Sequence, residues 1–111
     1  MKIFLDDTRR SPVGFQTVRT VEDFETLINE HKNDLEVISL DYDLSASGTS
    51  RTGYNACDFL VKNNINCPKI IIHSTHPNAE KMYSYLTENL PASDIKMKKY
   101  SMLEVMKGDE N

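Results

Sequence analysis

The chain has 111 residues, 39% of them hydrophobic, and a formal net charge of -4. That length fits one domain with a modest core, and that sign of charge excludes a general attraction for nucleic acid or an anionic membrane surface. The two cysteines, Cys57 and Cys67, show no CxxC and no zinc spacing, so a reduced, cytoplasmic protein is expected, without signal peptide or membrane span.

Lys2-Ile3-Phe4-Leu5 is a short apolar run that ends in Asp6-Asp7 and reads as a first strand. Pro12 and Gly14 mark the stretch from Arg9 to Phe15 as a loop. Gln16 to Arg19 alternates weakly, as a short edge strand would. Thr20 is placed to cap a helix whose apolar positions Val21, Phe24, Leu27 and Ile28 recur at spacings of three and four. Val37 to Leu40 is a second apolar strand that ends in an acid, Asp41. A polar loop, Ser45 to Thr52, leads to a helix opened by Thr52-Gly53, with Ala56, Cys57, Leu60 and Val61 inside and Asn63-Asn64 at its end. Lys69-Ile70-Ile71-Ile72 has the composition of a central strand covered on both faces. His73-Ser74-Thr75 follows it. A helix from Pro77 carries Ala79, Met82 and Leu86 inward. Ile95 to Met97 alternates as a last edge strand, and Ser101 with Glu104 predicts a capping box for a closing helix, Met102 to Lys107.

Strands alternating with helices predict an α/β fold around a parallel sheet. One domain is expected over residues 1–107, with 108–111 a frayed tail. No helix fits between the first strand and Gln16–Arg19. Either a long loop makes that crossover, or Gln16–Arg19 is not a parallel strand.

Three apolar runs thus end in residues suited to a phosphate site: Asp6-Asp7 with Arg9, Asp41 with Asp43, and His73-Ser74-Thr75. In an open parallel sheet such strand ends meet in one crevice where the strand order switches. Four gathered carboxylates would repel one another unless a hard cation sits among them. Asp6, Asp7, Asp41 and Asp43 are therefore the candidate ligands of a divalent metal, Mg²⁺ or Mn²⁺. Asp41 and Asp43 would face the same side of an extended backbone, whereas Asp6 and Asp7 would face opposite sides, one ligating while the other caps or orients. Arg9 offers a planar fork for a phosphate. His73 could act as acid or base, or simply be a hydrogen-bonded core histidine. Ser74 and Thr75 could bind phosphate or cap the next helix.

These motifs resemble the receiver domains of two-component signalling. The matching positions are the acidic pair Asp6-Asp7, the phosphoacceptor position Asp41, the hydroxyl at Ser74 or Thr75, and Lys98 after the last strand. The resemblance implies a flavodoxin-like three-layer sandwich, five parallel strands in the order 2-1-3-4-5; receivers carry a helix between strands one and two, and here a loop is expected in its place. The cyclic-phosphate processing receiver-like domains look closer still. Their pattern is similar to Asp6-Asp7-Thr8-Arg9 with Pro12, Val18-Arg19-Thr20, Ser39-Leu40-Asp41-Tyr42-Asp43-Leu44 (Tyr42 where the pattern has His), Thr52-Gly53-Tyr54, and His73-Ser74-Thr75-His76-Pro77-Asn78 with Met82. That resemblance implies hydrolysis or transfer at a cyclic phosphate, a 2′,3′-cyclic RNA end or a cyclic nucleotide.

Three functions follow as expectations. In a metal-dependent phosphoesterase, Arg9 would steady the phosphate, His73 would pass a proton to the leaving oxygen, Ser74 would hydrogen-bond the phosphate, and Asp41 would be indispensable. In a stand-alone signalling receiver, Asp41 would accept a phosphoryl group, with Lys98 and Ser74 reading it. In a non-catalytic module, the same surface would bind a nucleotide or a protein. The partner expected throughout is a small phosphate-containing ligand or an RNA end, because a bound cation reverses the local sign of charge.

Overall fold

The computed structural model describes residues 1–98. Residues 99–111 lie outside it, and with them the expected closing helix, its capping box and the tail. The elements are β1 (Lys2–Leu5), β2 (Gln16–Val18), α1 (Val21–Glu30), β3 (Val37–Leu40), α2 (Gly53–Lys62), β4 (Lys69–Ile72), α3 (Ala79–Asn89) and β5 (Asp94–Met97). All five strands are parallel, in the order β2-β1-β3-β4-β5. This is the expected receiver-like, flavodoxin-like arrangement.

Side-chain parity divides the sheet into two faces. Ile3 and Leu5 pair in register with Ile38 and Leu40, which pair with Ile70 and Ile72. These residues pack in one buried cluster with Val21, Phe24 and Ile28 of α1, Ala56, Cys57 and Leu60 of α2, and Met82 and Leu86 of α3. The three helices therefore cover one face. On the other, Phe4, Ser39 and Ile71 stand side by side. Among the described residues no helix covers that face, and the expected closing helix lies outside them.

No helix lies between β1 and β2, yet the two strands are parallel. The loop does a helix's work in one place: Phe15 lies edge-on against Phe4, ring centroids 6.1 Å apart. The helix ends follow their sequence signals. The Thr20 side chain accepts a hydrogen bond from the Asp23 N–H, and Thr52 and Asn55 form a reciprocal box at the start of α2; each such cap is worth about 1 kcal/mol. Helix α3 begins at Ala79 rather than at Pro77, after a turn in which the Ala79 N–H bonds to the His76 carbonyl. Among the described residues, no helix is long and apolar enough to cross a membrane.

Candidate functional site

Parity also builds the site. Two residues beyond Phe4, Ser39 and Ile71 on their strands come Asp6, Asp41 and His73. The parallel ladder continues to this level: the Asp6 N–H bonds to Val18, Asp41 to Leu5 and His73 to Leu40 through backbone carbonyls. Asp6 follows β1 and Asp41 follows β3, the two strands that flank the switch in strand order. All three side chains are buried, and each offers a ligand atom within 4.8 Å of the others.

Asp6 is the most tightly held of the three. Its Oδ1 accepts the backbone N–H groups of Thr8 at 2.9 Å and Arg9 at 2.8 Å. Its Oδ2 lies 3.0 Å from His73 Nε2. Burial works to raise the Asp6 carboxyl, but the hydrogen bond from His73 and the two backbone bonds outweigh it and leave its pKa lowered. An ionised Asp6 can only accept, so His73 Nε2 carries the proton between them. The other ring nitrogen, Nδ1, sits 2.8 Å from the Ser39 hydroxyl, and Phe4 stacks flat on the imidazole with centroids 4.4 Å apart. His73 is thus fixed on both edges and one face, fully out of solvent.

Asp41 has the opposite balance. Burial and then the charge of Asp6 push its carboxyl above the ordinary range, against the opposing effects of His73, a Ser74 hydrogen bond and the Tyr42 N–H. Its backbone is fixed by α2. A Cβ on Gly53 would lie 1.8 Å from the Asp41 carbonyl oxygen, so only glycine admits this approach. The Gly53 N–H also donates to the Tyr42 carbonyl at 2.8 Å.

Above the buried group opens a cleft of about 340 Å³ whose wall includes Asp7, Arg9, Asp41, Asp43, Ser74 and His76. Asp7 and Asp43 stand on this wall but not in the buried group. The Asp7 carboxylate accepts the Ala46 N–H at 2.8 Å, capping a short 3₁₀ turn at Ser45–Ser47. Asp43 accepts the Ser45 N–H at 2.9 Å, and this bond with a second from the Ser45 side chain lowers its pKa. The guanidinium of Arg9 donates to the His73 carbonyl at 3.2 Å and keeps a longer contact of 3.9 Å with Asp6. Ser74 bonds to Asp41 and accepts the His76 N–H at 3.1 Å. Lys98 follows β5 beside Ser74, where both line a smaller hollow with Ile72 and Met97. Thr75 lies on the cleft wall and is exposed.

Four contributors carry no role in the sequence expectation. Ser39 was signalled as the one polar residue of an apolar strand, and Gly53 by its place at a helix start facing Asp41. Arg19, which donates to the carbonyls of Asp6 at 3.0 Å and Arg9 at 2.6 Å, is signalled only by its place in the family pattern, and His76 falls at a position that the pattern leaves open.

Two buried acids astride the switch point of a β2-β1-β3-β4-β5 parallel sheet, with a hydroxyl residue after β4, define a receiver-like domain. Residues 1–88 match the family described as the cyclic-phosphate processing receiver domain, and the chain belongs to that family. No curated protein and no solved structure matches the chain.

Proposed function

We propose that the cleft binds a cyclic phosphate ester, a nucleoside 2′,3′-cyclic phosphate or the same group at an RNA end, and that the domain hydrolyses it with a divalent cation, Mg²⁺ or Mn²⁺. One observation carries this reading: Asp41 is buried beside the ionised Asp6, and burial and that charge raise its carboxyl. Such a pair is tolerated at neutral pH with a proton or a cation between its members. The donor set fits a hard cation, two carboxylates with an imidazole close by. Asp6 and Asp41 would hold it, and a bound dication supplies polarisation of a phosphoryl oxygen and a ready nucleophile at neutral pH.

The chain's own groups supply the rest. Arg9, at the cleft edge, takes a non-bridging phosphate oxygen on its fork. Ser74 sits between Asp41 and the His76 backbone, where it orients the carboxylate and reaches the phosphate. His73 is buried with both ring nitrogens engaged. Its part is to hold Asp6 ionised and oriented, instead of the direct proton transfer to the leaving oxygen that its sequence position suggested. Asp7 and Asp43 keep the cleft wall in place through the Ser45–Ser47 turn.

The test is turnover of a panel of 2′,3′-cyclic and 3′,5′-cyclic nucleotides with Mg²⁺ or Mn²⁺, alongside calorimetric metal binding. Asp41→Asn should remove both turnover and metal binding and leave a folded chain. An inert native protein across the panel and both metals removes the proposal.

A second reading has one specific support, the place of Lys98 beside Ser74 at the end of β5. In it Asp41 accepts a phosphoryl group, as in a signalling receiver. A small phosphodonor with Mg²⁺, followed by intact mass, would then show one phosphate adduct that is lost in Asp41→Asn.

A further inference from the structure

Resting on the cyclic-phosphate reading, we propose that His76, not the buried His73, is the imidazole that meets the ligand, donating a hydrogen bond from its Nε2–H to a phosphate oxygen in the cleft. His76 is exposed and lies on the cleft wall with Arg9, Asp41 and Ser74. The Asn78 backbone N–H points at its Nδ1, 3.1 Å away. A backbone amide can only donate, so Nδ1 keeps its lone pair and the ring proton resides on Nε2. The Nε2 edge, opposite the one that the Asn78 amide engages, is therefore the donor edge.

The ring is held in three ways. Tyr42 stacks on it with centroids 4.3 Å apart and planes 28° from parallel. The Asn78 bond sets its rotation, and the His76 N–H anchors its backbone on the Ser74 hydroxyl at 3.1 Å. A donor fixed before the ligand arrives loses little freedom on binding and needs no reorganisation.

A purely structural role accounts for part of this geometry. Nδ1 closes the His76–Asn78 turn ahead of α3, as an Asx side chain would. It does not account for the aromatic stack, nor for the position on the cleft wall. The two roles separate by substitution. In His76→Asn the side-chain oxygen can still accept the Asn78 N–H, but nothing reaches the Nε2 position. In His76→Gln the amide nitrogen reaches that position and restores a donor.

The experiment uses the full chain with Mg²⁺ and 2′,3′-cyclic CMP. Long-range ¹H–¹⁵N spectra of the imidazole should show the Nε2–H tautomer of His76 at neutral pH, and the nucleotide should shift that resonance. His76→Asn should raise KM about tenfold or more, the loss expected of a hydrogen bond to a charged group, with kcat changed less, and His76→Gln should return close to the native value. An Nδ1–H tautomer, or native-like KM in His76→Asn, overturns the inference and leaves the cyclic-phosphate reading standing. A native protein inert towards the cyclic nucleotide removes both.

Discussion

At the amino ends of its strands the domain carries a hollow of about 570 Å³, whose lining includes Lys32, Leu35, Cys67, Pro68 and Ala92. At the carboxyl ends it carries the smaller cleft of about 340 Å³, over Asp6, Asp41 and His73. The larger hollow gathers no acids. Its cysteine thiol donates to the Lys69 carbonyl, and burial raises that thiol's pKa, which keeps it protonated and inert. Volume therefore does not track where buried charge gathers in this fold. The informative end is the one where charged groups are out of water and set each other's ionisation.

The contrast can be broken most forcefully at Gly53. Gly53→Ala drives a methyl into the Asp41 carbonyl and should cost about 3 kcal/mol or more in a urea melt. Ala92→Val, on the exposed rim of the amino-end hollow, should stay within about 0.5 kcal/mol. Equal effects at the two ends would erase the distinction.

Next in size is His73→Leu, which takes from buried Asp6 its nearest side-chain partner. A loss of about 2–3 kcal/mol is expected, much of it recovered in the double variant with Asp6→Asn. A double variant no more stable than His73→Leu would show that the pair does not act as a unit.

Asp41→Asn should move the other way, raising metal-free stability at neutral pH by about 1 kcal/mol as the repulsion with Asp6 disappears. The sign is set by linkage. The folded-state pKa of Asp41 is raised, so its native form binds the proton more tightly, and stability falls as pH climbs from the ordinary aspartate range through the raised value. The folded-state pKa of Asp6 is lowered, so its contribution is lost only as pH falls below that range. Urea midpoints against pH should show the high-pH decline in the native chain, its suppression by Mg²⁺, and its absence in Asp41→Asn. A native decline that Mg²⁺ leaves unchanged would separate the buried acids from any cation.

The smallest effect belongs to Arg51, which bridges Glu22 and Glu25 at the surface. Arg51→Ala should cost about 0.5 kcal/mol and fade in high salt, with metal binding unchanged. A larger loss would mean that the Ser45–Thr52 loop depends on α1.

Much of this was legible from residue order. Apolar runs ending in Asp6, Asp41 and His73 fixed three strands, and strand parity placed their terminal side chains together. The caps at Thr20 and Thr52 are local chemistry, written in one turn of sequence. What remained hidden was depth. Asp41 and Asp43, expected on the same side of an extended backbone, part company, Asp41 buried and Asp43 exposed where it accepts the Ser45 N–H, while Asp7 takes the capping part left open to one of the acidic pair, accepting the Ala46 N–H. Whether a histidine after a strand faces water or an aromatic ring depends on partners far along the chain, Phe4 and Ser39 for His73. The parallel pairing of β2 was equally undecidable locally, because the loop before it carries no helical period and the pairing rests on a three-residue register with β1.

The contact between Gly53 and the Asp41–Tyr42 backbone also closes a ring. Residues 43–52 leave and rejoin the body of the domain at nearly the same point, in the manner of an Ω-loop. Beyond Leu44, which is fully buried, and the Ser45–Ser47 turn, such a segment can lengthen or shorten without disturbing either anchor, because the entropy of closing a loop grows slowly with its length. Changes of length confined to residues 48–51 should therefore leave the acid it departs from where it is.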